Sequence, residues 1–261
     1  MLFDQTPYDC RLEWGRRGAR EAAERGDILI IVDVLSFSSA VVSALHHGAL
    51  IYPYPPDLDG IEYARLVEAE YILGRAEAAR KGKPTLSPVS FNEGQGGKKY
   101  VLASLNGAYC TWIASGVPAL LAGSLLNASA AAAAANKIRK KVNCSITIVP
   151  CGEQWSDVKG HDDTLRPSVE DYLGAGAILS CLKGSKSPEA LVCENAFNSS
   201  RSKISDLIWE CGSGRELRER GFGNDVKHCS RLNALQVVPS LLGDHFVPFS
   251  EEMLQPGGKF V

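Results

Sequence analysis

Two acidic segments carry the side chains best suited to chemistry, and Asp33 belongs to the first. It stands near the end of the unbroken apolar run 28–34, which is typical of a strand buried on both faces. Ser36, Ser38 and Ser39 follow it, where a helical pattern begins. Helix N-termini at the carboxyl ends of parallel strands bind anions, so this junction suits an anionic group beside a metal ion. The alternative is local: Asp33 caps a turn and Ser38 or Ser39 caps the helix.

Glu170 and Asp171 form the second acidic segment, at the start of the helical pattern 168–177. Mg²⁺ prefers oxygen ligands and keeps several waters, so two or three carboxylates are enough to hold it. We therefore predict a Mg²⁺ site, with Asp33, Glu170 and Asp171 as the metal ligands and catalytic residues. Acids in a first helical turn also favour the helix dipole, and that structural role is the alternative.

Small and amide-bearing residues occupy three further places where a strand pattern gives way to a helical or loop pattern. These places are 104–107, 123–127 and 150–153. In a doubly wound sheet such junctions line one edge, where small residues let a ligand approach the backbone and amides bind its oxygens. The predicted substrate-binding residues at the four junctions are Ser36, Ser38, Ser39, Asn106, Gly107, Asn127 and Gly152.

Strand and helix patterns alternate along the chain, and this order predicts an α/β fold. We expect three α/β/α layers around a mostly parallel sheet, in one domain (1–261) with a helical C-terminal part at about 168–261. The predicted strands are 28–34, 49–53, 100–105, 118–123, 145–149 and 235–238, and the predicted helices before residue 168 are 38–47, 61–70, 107–115 and 126–140.

Composition and charge limit the kinds of partner that the protein can bind. The chain has 261 residues, 45% of them hydrophobic and 22% charged, and a net charge of -2, so no basic field is present to bind nucleic acid. No apolar run has the length of a membrane span, and the first residues lack the pattern of a signal peptide. The eight cysteines form no Cys-x-x-Cys pair. We expect a cytoplasmic protein with free thiols that acts on a small molecule, and the sequence leaves a homodimer open.

Standard catalytic motifs are absent from the sequence. It contains no phosphate-binding loop and no Gly-x-Ser-x-Gly elbow, and Asp33-Val-Leu35 lacks the second acid of an Asp-x-Asp phosphatase. His161 stands beside Asp162 and Asp163 and is a candidate acid or base, although a solvated loop histidine is the alternative.

The run Asp33-Val-Leu35 with Ser38-Ser39 resembles the Asp-Val-Leu-Arg-Ala-Ser-Ser signature of the 2-phosphosulfolactate phosphatases. Ser87-Pro88 resembles the Ser-Pro of the same family. The resemblance continues in order over roughly residues 28–240. Its other blocks are Ser104-Leu-Asn106-Gly107, Gly123-Ser124 with Asn127-Ala128, Cys151-Gly152, Glu170-Asp171 with Gly174-Ala-Gly176, Ser213-Gly-Arg215, Gly221-Phe222, Asp225 and Val238-Pro239.

The resemblance implies an α/β/α hydrolase that uses Mg²⁺ to remove phosphate from 2-phospho-3-sulfolactate, a step toward coenzyme M. It also implies that Ser87 contacts the substrate.

One departure from the family pattern lies at the expected site, because Ser36 replaces the family's arginine after Asp-Val-Leu. A guanidinium there would be a bidentate partner for an anion. We expect another cation to face the phosphate, with Arg75 as first candidate and Arg215 as second. Two functions stay open: a phosphatase of a small anionic phosphomonoester, and a non-catalytic binding or regulatory protein for a small metabolite on the same fold.

Overall fold

The computed structural model describes residues 3–72, 83–155 and 164–254, and its strands place most of the apolar runs at its centre. Arg75 and His161 lie outside the described residues. The strands are β1 (Cys10–Leu12), β2 (Ile28–Val32), β3 (Leu50–Tyr54), β4 (Glu70–Tyr71), β5 (Lys99–Ala103), β6 (Leu120–Gly123), β7 (Ile146–Pro150), β8 (Glu153–Gln154), β9 (Leu165–Arg166), β10 (Pro239–Leu242) and β11 (His245–Pro248).

The described α-helices separate these strands and then dominate the C-terminal third. They are α1 (Gly15–Glu24), α2 (Phe37–His46), α3 (Gly60–Leu66), α4 (Gly107–Ile113), α5 (Ala128–Val142), α6 (Val169–Leu179), α7 (Pro188–Ser200), α8 (Ile204–Glu210), α9 (Gly212–Glu219) and α10 (Gly223–Cys229). None of these helices is long and apolar enough to cross a membrane.

Nine of the described strands form one sheet, in the order β1-β7-β2-β6-β10-β11-β3-β5-β4. Five of its eight neighbouring pairs are parallel, so the expected α/β fold with a mostly parallel sheet is confirmed. The β10–β11 hairpin is antiparallel to both of its neighbours. Because this hairpin lies between β6 and β3, strands β3 and β5 run in the opposite direction to β2, β6 and β7. The sequence prediction, which placed all the strand-to-helix junctions at one edge of the sheet, did not include this reversal.

Helices cover both faces of the sheet, as β2 illustrates. Leu29 and Ile31 belong to the core under α1, α2 and α4, whereas Ile28, Ile30 and Val32 belong to the core under α5, α6 and α7. This alternation follows from the period of two residues along a strand. All five residues of β2 are fully buried, as the apolar run predicted.

Several element boundaries differ from the sequence predictions. The last predicted strand, 235–238, lies four residues further on as β10, and helix α3 ends at Leu66 rather than at 70. Glu68 adopts a positive φ of 53° there, and residues 70–71 pair with β5 instead.

Helix α1 was not predicted from the sequence. Its buried residues are only glycine and alanine, so it has no periodic pattern of large apolar side chains. The described cysteines are free thiols, as expected, and Cys181 is the exposed one among them.

Helix α6 is held close to its neighbours by Gly176, which yields a direct test of the packing. A Cβ at Gly176 would lie 2.5 Å from the carbonyl oxygen of Cys193 and 2.7 Å from Cβ of Phe197, both on α7. We predict that Gly176→Ala lowers the free energy of unfolding by about 1–3 kcal/mol, the usual cost of overfilling a core. Urea denaturation measures this, with Gly116→Ala as control, because a Cβ there meets nothing within 4 Å. Equal stability losses in both variants would contradict the packing described.

Candidate active site

Asp33 joins the start of two helices through its carboxylate. Its Oδ1 accepts the backbone N–H of Phe37 at 3.1 Å, at the first residue of α2. Its Oδ2 accepts the N–H of Gly107 at 3.0 Å, at the first residue of α4. The side chain is 6% exposed. Asp33 therefore fixes the ends of β2 and β5 relative to one another, although those strands lie far apart in the sheet order.

Gly107 is required at its position by this contact. A Cβ on Gly107 would overlap the ring of Phe37, so only glycine brings its N–H within reach of Asp33. Ser36 is buried between these groups, and its backbone also hydrogen bonds to Asp33.

Asp171 makes a second clamp of the same kind, beside the first. Its Oδ1 accepts the N–H of Val34 at 2.7 Å, and its Oδ2 accepts the N–H of Gly152 at 2.9 Å. Val34 follows β2 and Gly152 follows β7, so the carboxylate joins the ends of two adjacent strands. Gly152 has a φ of 64°, and a Cβ there would lie 2.9 Å from the carbonyl oxygen of Arg166.

The acids of this cluster repel one another in a desolvated place. Burial, with the charge of Glu170 adding to it, raises the pKa of Asp33 to about 6 against the opposing backbone N–H donors. Burial, followed by the charges of Asp33 and Glu170, holds the pKa of Asp171 well above its usual range. Glu170 itself is 2% exposed. Within the described ranges, no basic side chain forms a salt bridge with these three carboxyls.

Glu153 is a further acid of the site that the sequence did not assign. Asn106 Nδ2 donates a hydrogen bond to Glu153 Oε2 at 2.9 Å. Burial, with the charge of Asp33 next, raises the pKa of Glu153 to about 7. The available signal was its position directly after Gly152, at the fourth strand end. Glu153 and Asp33 thus both titrate close to neutral pH.

Two arginines lie at the edge of this cluster. Arg166 stands directly opposite Glu153 in the β8–β9 ladder, with its guanidinium 5.5 Å from the ring of Trp155. Arg16 donates from Nη2 to the carbonyl oxygen of Leu105 at 2.7 Å, next to Asn106 in the chain. Its Nε is buried and finds no hydrogen-bond partner in the part of the chain that the structure describes.

Arg215, the second arginine that the sequence singled out, forms no part of this cluster in the structure, and the first, Arg75, cannot be placed against it. Arg215 is exposed on α9, and Arg75 lies outside the described residues. The sequence did not single out Arg16, because the helical pattern of α1, which carries it, was not recognised. It did not single out Arg166, because that residue follows a polar stretch with no helix or strand pattern.

The serines after Asp33 point into the protein. Ser38 Oγ donates to the carbonyl oxygen of Ile31 and accepts the N–H of Asp33, both at 3.0 Å. Ser39 Oγ donates to the carbonyl oxygen of Val34 at 2.8 Å. Both side chains are fully buried. The geometry therefore gives them a positioning role, holding the turn that presents Asp33, instead of the substrate contact predicted from the sequence.

Asn127 and Ser87 are also engaged internally. Asn127 accepts the N–H of Ser124 at 2.9 Å and donates to the carbonyl oxygen of Val237 at 3.0 Å, and it is fully buried. Ser87 donates its hydroxyl to a carboxylate oxygen of Asp225. These contacts connect the sheet to the C-terminal part, and we assign both residues to structure and not to substrate binding. Asn106, Gly107 and Gly152 remain at the acidic cluster.

The predicted ligand set for Mg²⁺ fits only in part. Among the described residues, no three carboxylate, imidazole or thiol groups converge as a metal cage. Asp171 has both oxygens turned to backbone N–H groups. Mg²⁺ is nevertheless commonly held by one or two carboxylates and waters. Asp33 is engaged in the same way by the N–H groups of Phe37 and Gly107, so each of these two carboxylates could offer a cation only its remaining lone pairs. The buried, mutually repelling charges of Asp33 and Glu170, with Asp171 beside them, would still suit a divalent cation.

Comparison with known proteins identifies the family. A family model described as 2-phosphosulpholactate phosphatase matches residues 17–243. The chain belongs to the 2-phosphosulfolactate phosphatase family. The resemblance found in the sequence is therefore confirmed, and the family name places the chain among the phosphoric monoester hydrolases.

Individual relatives agree over most of both chains. A probable 2-phosphosulfolactate phosphatase of Carboxydothermus hydrogenoformans is 29% identical over 219 residues, covering 81% of this chain and 84% of its own length. That of Pseudothermotoga lettingae is 29% identical over 237 residues, covering 87% and 95%. The 2-phosphosulfolactate phosphatase of Methanothermobacter thermautotrophicus is 29% identical over 225 residues, covering 84% and 88%.

The raised pKa of Asp33 predicts how stability depends on pH. An acid whose pKa rises on folding, here from 3.8 to about 6, binds its proton more tightly when folded. Its contribution is therefore complete below about pH 4 and is lost as the pH rises through about 6. We predict that between these values the wild type loses about 2 kcal/mol of unfolding free energy that Asp33→Asn does not lose.

Chemical denaturation of the wild type and Asp33→Asn at several pH values measures this difference. Glu219→Gln, on the exposed face of α9, is the control and should follow the wild-type curve. Parallel curves for the wild type and Asp33→Asn would contradict a buried, repelled carboxyl at this position.

Proposed function

We propose that this protein hydrolyses a small anionic phosphomonoester with Mg²⁺, at the cluster formed by Asp33, Asn106, Glu153 and Glu170. The observation that supports it most is the neighbouring pair of a buried and a half-buried carboxyl, Asp33 and Glu153, whose pKa values are raised toward neutral pH, to about 6 and about 7. Acid–base catalysis is most efficient when the pKa lies near the working pH. 2-Phospho-3-sulfolactate is the first substrate to test because relatives across the family carry its name.

Asp33 and Glu153 have complementary roles in the proposed reaction. Ionised Asp33, held in place by the N–H groups of Phe37 and Gly107, takes a proton from the attacking water and returns it to solvent after the reaction, while Glu153 regains one. As the water oxygen bonds to phosphorus, the bond from phosphorus to the ester oxygen breaks. Protonated Glu153 gives its proton to that departing oxygen, while Asn106 keeps the carboxyl in position. The products are the alcohol and phosphate.

Charge neutralisation needs groups beyond these acids. Asp33 and Glu170 would hold Mg²⁺, and the bound ion would supply positive charge for the phosphoryl group, which is the main requirement of phosphoryl transfer. Arg166 and Arg16 replace the guanidinium that the family carries where this chain has Ser36. A planar guanidinium binds two phosphate oxygens at once, which a lysine cannot reproduce.

The competing function is a binding protein without turnover, which the loss of the family arginine at Ser36 favours. Catalysis and binding differ in their need for Glu153, because a binding protein gains nothing from a proton donor at the leaving group. A cytoplasmic location and a homodimer are further parts of the proposal, and they rest on the sequence alone.

We predict that the purified protein releases phosphate from 2-phospho-3-sulfolactate, or from another substrate of a phosphomonoester panel, only when Mg²⁺ is added. Asp33→Asn should lower kcat by at least about 100-fold, the lower range for a positioned base. Glu219→Gln is the control and should keep wild-type rates. Phosphate release by none of the panel, together with ligand-induced stabilisation, would overturn catalysis in favour of the binding protein.

We predict that Arg166→Lys raises KM for the phosphorylated substrate several-fold or more, because the two-oxygen contact is lost while the charge remains. Steady-state kinetics with an identical assay on Arg215→Lys provides the matched control. The assignment of Arg166 fails if both lysine variants keep the wild-type KM.

A further inference from the structure

A second concave surface lies at the far end of helix α2 from Asp33. It is a cavity of about 490 Å³ whose lining includes His46, His47 and Ser43 of α2, together with His228 and Arg231. Helix α2 starts at Phe37, and the cavity is lined by residues of its last turn and a half, whereas none of Asp33, Glu153, Glu170 and Asp171 lines it. It is therefore separate from the carboxylate cluster.

The polar lining of this cavity is basic. Of the four described histidines, three line it, and no acidic side chain is among its described lining residues. The rings of His46 and His47 lie 5.0 Å apart, and His228 is hydrogen bonded at 3.0 Å to the buried hydroxyl of Ser43. Apolar side chains, among them Val89 and Leu235, form the remaining wall. In a chain of net charge -2, this concentration of basic groups needs an explanation.

We propose that the cavity bounded by His46, His47, His228 and Arg231 is a second binding site, for a small dianion such as inorganic phosphate or a phosphate ester. Arg231 carries a permanent charge, and each imidazole can donate an N–H to an anion. Imidazoles also bind metals, but no three metal-binding groups converge among the described residues, so an anion fits this set better.

The histidines make this site dependent on pH. Burial lowers the pKa of His228, and Arg231, His47 and His46 lower it further by repulsion. A bound dianion relieves that repulsion, so binding takes up protons and becomes tighter as the pH falls. The charged and titratable groups on the elements around the cavity come from three places. His46 ends α2 and His47 follows it. Asp225, Lys227 and His228 belong to α10, and Arg231 lies just beyond that helix. Glu93 lies on the turn that packs beside Gly48.

The acids among these groups do not cancel the basic set. Asp225 accepts a hydrogen bond from Ser87, and Glu93 is exposed on its turn. Neither lines the cavity.

Sulfate is the probe for this site, because it stays a dianion at every pH used and any pH dependence then belongs to the protein. Isothermal titration calorimetry of the metal-free full chain at constant ionic strength should give a dissociation constant at least about tenfold lower near pH 6 than near pH 8. Arg231→Gln and His47→Gln should each weaken sulfate binding near pH 6 by about tenfold. His46→Gln, at an exposed position, gives the same test without disturbing buried groups.

Matched controls are His245→Gln and Arg201→Gln, which lie outside the cavity and should leave sulfate affinity unchanged. The proposal is overturned by any of three results. They are an absence of saturable sulfate binding near pH 6, equal affinity in the wild type and all three cavity variants, and tighter binding near pH 8. A phosphatase assay plays no part in this test, so its outcome is independent of the proposed function.

Discussion

The architecture of the site depends on buried carboxylates that accept backbone N–H groups. Asp33 holds the starts of α2 and α4, and Asp171 holds the ends of β2 and β7. Charge-assisted hydrogen bonds of this kind are about twice as strong as neutral ones. The Asp33 contacts bring together the ends of β2 and β5, which the order of strands in the sheet alone keeps apart, and the Asp171 contacts fix the ends of the adjacent strands β2 and β7. The same burial raises the pKa of each acid, so the interaction that builds the site also tunes its chemistry.

Two neighbouring acids, Asp33 and Glu153, differ in their hydrogen-bond donors, and this difference separates their pKa values. Asp33 has donors for both oxygens, whereas Glu153 has a single amide donor from Asn106. The pKa of Glu153 therefore lies above that of Asp33. Enzymes that need one acid and one base near neutral pH rely on such differences in environment.

The sequence predicted well what periodicity and local chemistry determine. The buried run that ends at Asp33, and the helix that follows it, were both recognised from the residues alone. The acids Asp33, Glu170 and Asp171 were also placed correctly in one region. Side-chain direction is what the sequence could not show. Ser38, Ser39 and Asn127 have the residue types of a binding site, but their hydrogen bonds stay inside the fold. Glu153, Arg16 and Arg166 were missed because no sequence pattern links them to Asp33. Only tertiary packing brings the short β8–β9 hairpin and helix α1 to the cluster.

The pH dependence of phosphate release tests the central claim most directly. With a substrate that supports turnover and saturating Mg²⁺, kcat/KM should fall above about pH 7 as Glu153 loses its proton. The fall on the acid side, where Asp33 is protonated, should lie below about pH 6 because a bound cation lowers the pKa of its carboxylate ligand. Glu153→Gln should lower the rate and abolish the fall on the alkaline side only. A wild-type profile that keeps rising above pH 7, or an alkaline limb that survives in Glu153→Gln, would contradict the roles given to these two carboxyls.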